Sequence, residues 1–466
     1  MTSGHINAST LARRVALAVW VSLAGGAQAQ VALPGARVDL PGVDLVVPGV
    51  SVPTDLRNVR IDARQLRVRE LLRQHPDRLT TNRSGELVVR REPLAQPSNA
   101  DVMRLWEDAG FTVIREQTFA ELGLVLYVLE PPRGRSLARG LRDLRKLDPD
   151  GTYDYQHVMT GGGASARDSD AGERAATKLA ASSKVDRNGT PGSTVSTPAA
   201  ATTPSQSALR IGMIDAGVDS THTALQGVDW SRRGCAGATV ASPHGTAVAS
   251  LLVAVLREAG GSAATRIHVA AADAFCGDPT GGAAGTLIDA LAWMVNEQVS
   301  VINFSLVGPR NALLERAVAS VIARGQIIVA AVGNDGPAAP PLYPAAYEGV
   351  IGVTAVDRRG RVLLEACRGK AVDFAALGTD VQAAALPAGF AAVRGTSFAS
   401  PQVAALLASR MPRIDPVAAR SAFDALATSA LDLGASGRDD VYGLGWVMSS
   451  ATEAPTSTSR VSPPAY

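Results

Sequence analysis

From about residue 208 onward, short apolar runs alternate with helix-like ones, and this alternation restricts the possible fold most. ALRIGMID, RIHVAAADAF, VSVINFSL, QIIVAAVG and GVIGVTAV are strand-length and nearly continuous in apolar residues. Between them lie HGTAVASLLVAVL, GTLIDALAWMVNEQ and NALLERAVASVIARG, with apolar residues at helical spacing. Strands that are apolar on both faces need cover on both, which helices connecting parallel strands provide. The expected class is therefore α/β, a three-layer fold with a mostly parallel sheet between helices. A composition of 46% hydrophobic and 19% charged residues supports a large core and argues against a disordered chain.

A second pattern precedes this one. From Gly85, strand-like ELVVRR, helix-like NADVMRLWEDAG, strand-like TVIREQ and LGLVLYVLE, helix-like SLARGLRDLRKL and finally GTYDYQHVM follow in the order βαββαβ. That order is the split βαβ, ferredoxin-like arrangement of a small α+β domain, expected over residues 85–160. Residues 161–206 are rich in Gly, Ala, Ser, Thr and Pro without apolar period and read as a flexible linker. The larger domain is expected over 207–448, and the polar, Pro-containing residues 449–466 as a disordered tail.

At the N-terminus, Arg13 and Arg14 precede VALAVWVSLAGGA and then AQA ending at Ala29, the charged, apolar and small-residue parts of a secretory signal over residues 1–29. Cleavage after Ala29 would export the chain, to a periplasm or to the medium. The apolar run is shorter than the roughly 20 residues that span a bilayer, so no stable membrane span is expected. Residues 30–84 begin with extended, Pro/Gly-punctuated sequence and continue into an Arg-rich stretch, dense between Arg57 and Arg91 and read as a solvated helix face. The net charge of +2 gives no reason to expect nucleic acid as a partner. Of the three cysteines, Cys235 and Cys276 are the expected disulfide pair; none of the three stands in a motif with a nearby base.

Serine-based peptide hydrolysis needs a hydroxyl, an imidazole to take its proton, a carboxylate to orient that imidazole and donors for the oxyanion. Asp215 ends the apolar run RIGMID, where a parallel sheet presents functional groups. His244 opens a helix-like run, with Gly245 allowing close backbone approach. Ser397 stands at the start of the helix-like FASPQVAALLASRM, beside free amides and the helix dipole. Asn334 follows QIIVAAVG and offers a side-chain amide as oxyanion donor. Asp219 and His222 lie close to the first block and are assigned structural roles. An esterase of the α/β-hydrolase type would need a GxSxG elbow and the order Ser, Asp, His, whereas here the serine comes last. A purely binding role is disfavoured by the intact set.

Together, MIDAGVDSTH, HGTAVAS, AVGNDGP and GTSFASP resemble the signature blocks of the subtilisin-like (S8) serine peptidases, in that family's order. INFSLVG and RDDVYGLGWV extend the likeness over residues 207 to 448. The resemblance implies an endopeptidase that cleaves polypeptides through an acyl-enzyme, with Asp215, His244 and Ser397 as the triad and Asn334 at the oxyanion. It also implies cleft-lining strands at Ser305, Leu306, Val307 and Gly308 and from Ala330 through Ala331, Val332 and Gly333. Ala216 stands where the family usually has Ser or Thr, and Phe398 where it usually has Met. No cofactor is expected; many members bind calcium, but no acidic loop here has a suitable ligand spacing, Arg438 to Asp440 being too sparse. Family members are commonly made with an inhibitory propeptide of split βαβ fold, which the 85–160 segment resembles in shape. The implied protein is a monomeric zymogen whose N-terminal domain serves as intramolecular inhibitor or chaperone, with GTYDYQHVM leading into the cleft and self-cleavage just beyond it.

Overall fold

The computed structural model describes residues 37–40, 43–46, 63–161, 164–165, 209–235, 240–259, 266–278 and 281–452. The expected leader, most of the expected linker and the tail beyond 452 lie outside the described residues. The chain divides into two units, Met1–Ile61 and Asp62–Tyr466. In the first, β1 (Arg37–Leu40) and β2 (Val43–Val46) pair antiparallel, Leu40 opposite Val43. The stretch expected to be merely extended thus holds a short hairpin.

The second unit opens with α1 (Ala63–Gln74), β3 (Leu79–Thr81), β4 (Leu87–Gln96), α2 (Val102–Asp108), β5 (Thr112–Phe119), β6 (Leu124–Glu130), α3 (Leu137–Leu147) and β7 (Thr152–His157). The sheet is antiparallel: β4 pairs with β3 through its first residues, with β6 through its last, and with β7, while β5 pairs with β6. This is the βαββαβ order, extended at its N-terminal end by α1 and β3. Val68 and Leu71 of α1 pack with Leu79, Leu87 and Val158, so apolar residues set among arginines tie this helix to the sheet. Two arginines of β4 meet acceptors within the small domain. Arg90 donates to Pro76 O and Leu79 O, and Arg91 to Glu130 and Pro131 O.

The small domain's own core is built on Trp106, Leu129, Leu141, Leu144 and Tyr153, with Trp106 edge-on to Tyr127 and Tyr153. Asp148 closes it, accepting from Ser98 N and Oγ (2.9 and 2.6 Å) and from Tyr153 Oη (2.6 Å). Burial alone would raise this carboxyl, but Ser98, Tyr153 and the Gly151 amide together hold it below the usual aspartate range. A depressed folded pKa stabilises at neutral pH and loses that contribution as pH falls through the folded value. Asp148→Ala is therefore expected to cost the small domain about 1–3 kcal/mol at neutral pH. Thermal melts of the full chain should show the gap narrowing in acid.

After β7 come β8 (Thr160–Gly161) and β9 (Ala164–Ser165), and then the larger domain: β10 (Leu209–Asp215), β11 (Asp229–Arg233), α4 (Pro243–Ala259), β12 (Ile267–Asp273), α5 (Ala284–Asn296), β13 (Val301–Phe304), β14 (Leu306–Val307), α6 (Ala312–Ala323), β15 (Ile327–Ala331), β16 (Ile351–Val356), β17 (Phe374–Leu377), β18 (Thr379–Ala384), β19 (Phe390–Arg394), α7 (Thr396–Ala408) and α8 (Pro416–Ser429). Seven strands form a parallel sheet in the order β11-β12-β10-β13-β15-β16-β17. Successive residues serve opposite layers. Ile211, Val301 and Val329 pack with Val248, Leu252 and Val403 of α4 and α7, whereas Ile214, Ile302 and Ile328 pack with Leu287, Leu291 and Leu314 of α5 and α6. This two-sided burial is the reason the strands lack polar alternation. Asn311 and Asp415 cap α6 and α8, each side chain accepting from two first-turn amides.

The small domain's sheet lies against α5 and α6. Leu94, Phe119, Leu122, Leu124, Leu126 and Val128 share one apolar cluster with Leu287, Leu291 and Leu314. Asp154 accepts from Ala312 N at the start of α6 (2.8 Å), and Gln156 from Gly285 N at the start of α5 (3.0 Å). β7 thus places acceptors on amides that a helix leaves unsatisfied. The chain past 448 does not turn irregular at once, because Glu258 of α4 accepts from Ser449 Oγ, Ser450 N and Ala451 N.

Candidate active site

Asp215 is the last residue of β10, a central strand, and its side chain is wholly buried. Its Oδ1 accepts from Ala216 N (2.6 Å) and from His244 Nδ1 (2.8 Å). A buried carboxylate held this way fixes the tautomer and plane of the imidazole, leaving Nε2 for proton transfer. His244 is the second residue of α4, and the close crossing of that helix over β10 depends on Gly245: a Cβ there would stand 2.2 Å from Ala216 O. The His244 ring also packs against Phe398, centroids 5.3 Å apart. The residue at the family's usual Met position therefore backs the imidazole.

Ser397 is the second residue of α7 and is fully buried by the surrounding chain. Its Oγ donates to Ser305 O at 3.3 Å, a long bond that costs little to release. Its carbonyl accepts from Ser305 Oγ (3.0 Å), which in turn accepts from Asn303 Nδ2 (3.0 Å). Asn334 Oδ1 accepts from Thr396 N (3.1 Å), and Thr396 Oγ1 from Gly333 N (3.2 Å). With its oxygen so engaged, Asn334 keeps its side-chain NH₂ as the group that can donate. Asp215 and Asn334 thus sit at or just past the C-terminal ends of β10 and β15 in the parallel sheet, and His244 and Ser397 on the first turns of α4 and α7.

The other expected residues divide. Leu306 and Val307 form an edge strand, and that edge carries this chain's own β8, Gly161 opposite Leu306 and Thr160 opposite Val307. Met159, fully buried, donates its N–H to Gly282 O (2.9 Å) and lies against Gly308, where a Cβ would come within 2.0 Å of the Met159 sulfur. On the far side, β9 pairs with β19, Ala164 opposite Arg394 and Ser165 opposite Val393. The first residues of the expected linker are therefore strands laid along the site. Gly162 and Gly163 lie outside the described residues. Ala331 and Val332 are buried, as Leu306 and Val307 are, and Gly333 donates its N–H to Thr396 Oγ1 and accepts from Cys367 N.

Asp219 accepts from Thr221 N and Oγ1, bonds that pull its carboxyl below the usual range, while its own N–H donates to Thr246 Oγ1. His222 accepts from Ala224 N and bonds to Gly389 O. Both shape turns around the site. Cys235 and Cys276 form a disulfide with Cα atoms 5.1 Å apart, linking the end of β11 to the loop after β12. Asp273 lies between them, accepting from Phe275 N and Cys276 N. Its carboxylate and the two sulfurs converge, but both sulfurs belong to the disulfide, which leaves no thiolate set for a metal. In the Arg438–Asp440 loop, Asp439 accepts from Ala435, Val441 and Tyr442 amides. Among the described residues no helix is long and apolar enough to cross a membrane. The Asn303–Ser305 support escaped the sequence reading, although a lone Asn inside apolar INFSL was its signal.

Comparison with known proteins bears on this geometry. Residues 206–445, more than half of the chain, match the model of the subtilase family. Subtilisin BL of Lederbergia lenta is 31% identical over 256 residues, covering 53% of this chain and 90% of that protein. The minor extracellular protease Epr of Bacillus subtilis (strain 168) is 32% identical over 164 residues, 35% of this chain but only 25% of Epr. The crystal structure of fervidolysin from Fervidobacterium pennivorans, a keratinolytic enzyme related to subtilisin, shares the fold over 80% of this chain and 62% of its own, with a TM-score of 0.58 and 16% identity. With a family match across the whole larger domain and subtilisins aligned over nearly their full length, this chain belongs to the subtilase family of serine endopeptidases.

Proposed function

We propose that the chain is an exported endopeptidase made as a precursor, and that its first substrate is its own backbone between Gly161 and Ala164. The observation that carries this reading is the antiparallel pairing of the chain on both flanks of Ser397, β8 on β14 and β9 on β19. An extended peptide added to a sheet edge is how such a cleft takes a substrate. Export rests on the leader-like sequence ending at Ala29.

In this mechanism Ser397 Oγ attacks the scissile carbonyl carbon as His244 Nε2 takes its proton. The imidazolium formed is stabilised by Asp215, and the oxyanion is bound by Asn334 Nδ2 and the Ser397 N–H. Collapse breaks the C–N bond, with His244 returning the proton to the leaving amine. Water then enters, loses a proton to His244 and releases the acyl group. The apolar seam on α5 and α6 keeps the severed small domain in place as an inhibitor.

Two measurements test the reading. A fluorophosphonate should label the mature wild-type enzyme, with the adduct mapping to Ser397, and its N-terminus should fall at Gly162, Gly163 or Ala164. Folded enzyme that takes no label would overturn it. Asn334→Ala should lower kcat about 100- to 1,000-fold with little change in KM, because the oxyanion exists only in the transition state.

A further inference from the structure

We propose that Arg67 is a positioning residue for self-cleavage, a clamp that holds the chain's own segment in the cleft and that no foreign peptide can engage; this rests on the precursor reading above. Arg67 belongs to α1, the helix that precedes the βαββαβ core. Its Nη1 donates to Gly161 O at 2.6 Å, across 94 residues of chain. Gly161 is the residue opposite Leu306, the last described before the segment to be cut. The acceptor is thus the backbone of the bound segment itself.

The helix that carries Arg67 grips the same segment a second time. Val68 and Leu71 pack in one cluster with Val158, which immediately precedes Met159, the residue seated against Gly308. Just beyond the helix, Arg78 forms an ion pair with Asp278 (2.6 Å) in the loop that leads to Gly282, the acceptor for Met159 N–H. The α1 region therefore touches the segment before the cleft, the segment in the cleft and the wall of the cleft. β8 is only two residues long and, among the described residues, pairs with β14 alone, too little ladder to fix an exiting chain. A guanidinium bound to a carbonyl is a charge-assisted hydrogen bond, stronger than the neutral bonds of the strand.

Because Arg67 and Gly161 both lie on the N-terminal side of the cut, their contact is absent from the enzyme once the severed small domain has been released. Arg67→Met keeps the aliphatic stem and removes the donors. Freshly purified precursor carrying it should process about 10-fold more slowly, an effect scaled down for solvent exposure. Arg67→Lys should recover part of the rate. Mature enzyme from either precursor should show the same kcat/KM on a peptide substrate.

Hydrogen exchange in the full-length Ser397→Ala chain provides a readout independent of catalysis. Arg67→Met in that background should raise exchange over residues 158–161 while α1 and the melting temperature stay unchanged. Unaltered exchange there, or wild-type processing by Arg67→Met, overturns the clamp. A lowered melting temperature with exchange spread through α1 also overturns it, by reducing Arg67 to a fold-stabilising role. If the wild-type chain itself fails to process, the precursor reading fails, and the exchange comparison still decides the Arg67 contact.

Discussion

Ser397→Ala is expected to yield a folded, full-length chain that hydrolyses peptides about 10⁶-fold more slowly than wild type and never separates from its small domain. The loss is large because the substitution deletes the attacking atom and nothing else the site depends on. The start of α7 is held by groups that Ala retains: the residue 397 carbonyl bonded to Ser305 Oγ, Thr396 bonded to Asn334 and Gly333, and the buried Phe398. Among the described residues, the hydrogen bond lost is the long one from Oγ to Ser305 O. The precursor should therefore melt at nearly the wild-type temperature. Intact mass after prolonged incubation of the pure mutant reports processing. Cleavage at the wild-type rate would assign maturation to another protease.

Asp215→Asn is expected to lower kcat about 10⁴-fold with KM nearly unchanged. The Asp215 carboxylate accepts from Ala216 N and His244 Nδ1 on a single oxygen. Asn has no charge to stabilise the imidazolium, and where its NH₂ takes the Oδ1 position it faces Nδ1 with a donor. The imidazole then carries its proton on Nε2 and has no lone pair for the Ser397 hydroxyl. Steady-state kinetics distinguishes this from a folding defect, because a tautomer error spares substrate affinity. A fall in KM-based affinity equal to the fall in kcat would point to a collapsed cleft.

These two residues were legible because their motifs are local. RIGMID ends at the strand terminus where Asp215 sits, and HGTAVAS starts the helix that carries His244. The parallel sheet was legible for a related reason: residues such as Ile211 and Ile214 must each be buried, on opposite faces, so apolar character runs unbroken. What was hidden depends on partners far along the chain. Val68 and Leu71 gain meaning only beside Val158, and α1 reads from sequence as a charged helix. β8 and β9 are two residues each in a Gly- and Ser-rich run, too short for any period, and exist through pairing with β14 and β19.

The disulfide between Cys235 and Cys276 has a bearing on survival. The loop it closes, a sequence separation of 41, contains all of α4 and with it His244. An endopeptidase in concentrated solution is exposed to copies of itself. A backbone cut between these two cysteines would leave both fragments joined, with the imidazole still anchored beside Asp215. The same closure restricts the unfolded chain by about 3–4 kcal/mol. A thiol reductant would remove both protections together, so nicked molecules that survive in oxidising medium should fall apart, and lose activity, once the bond is opened.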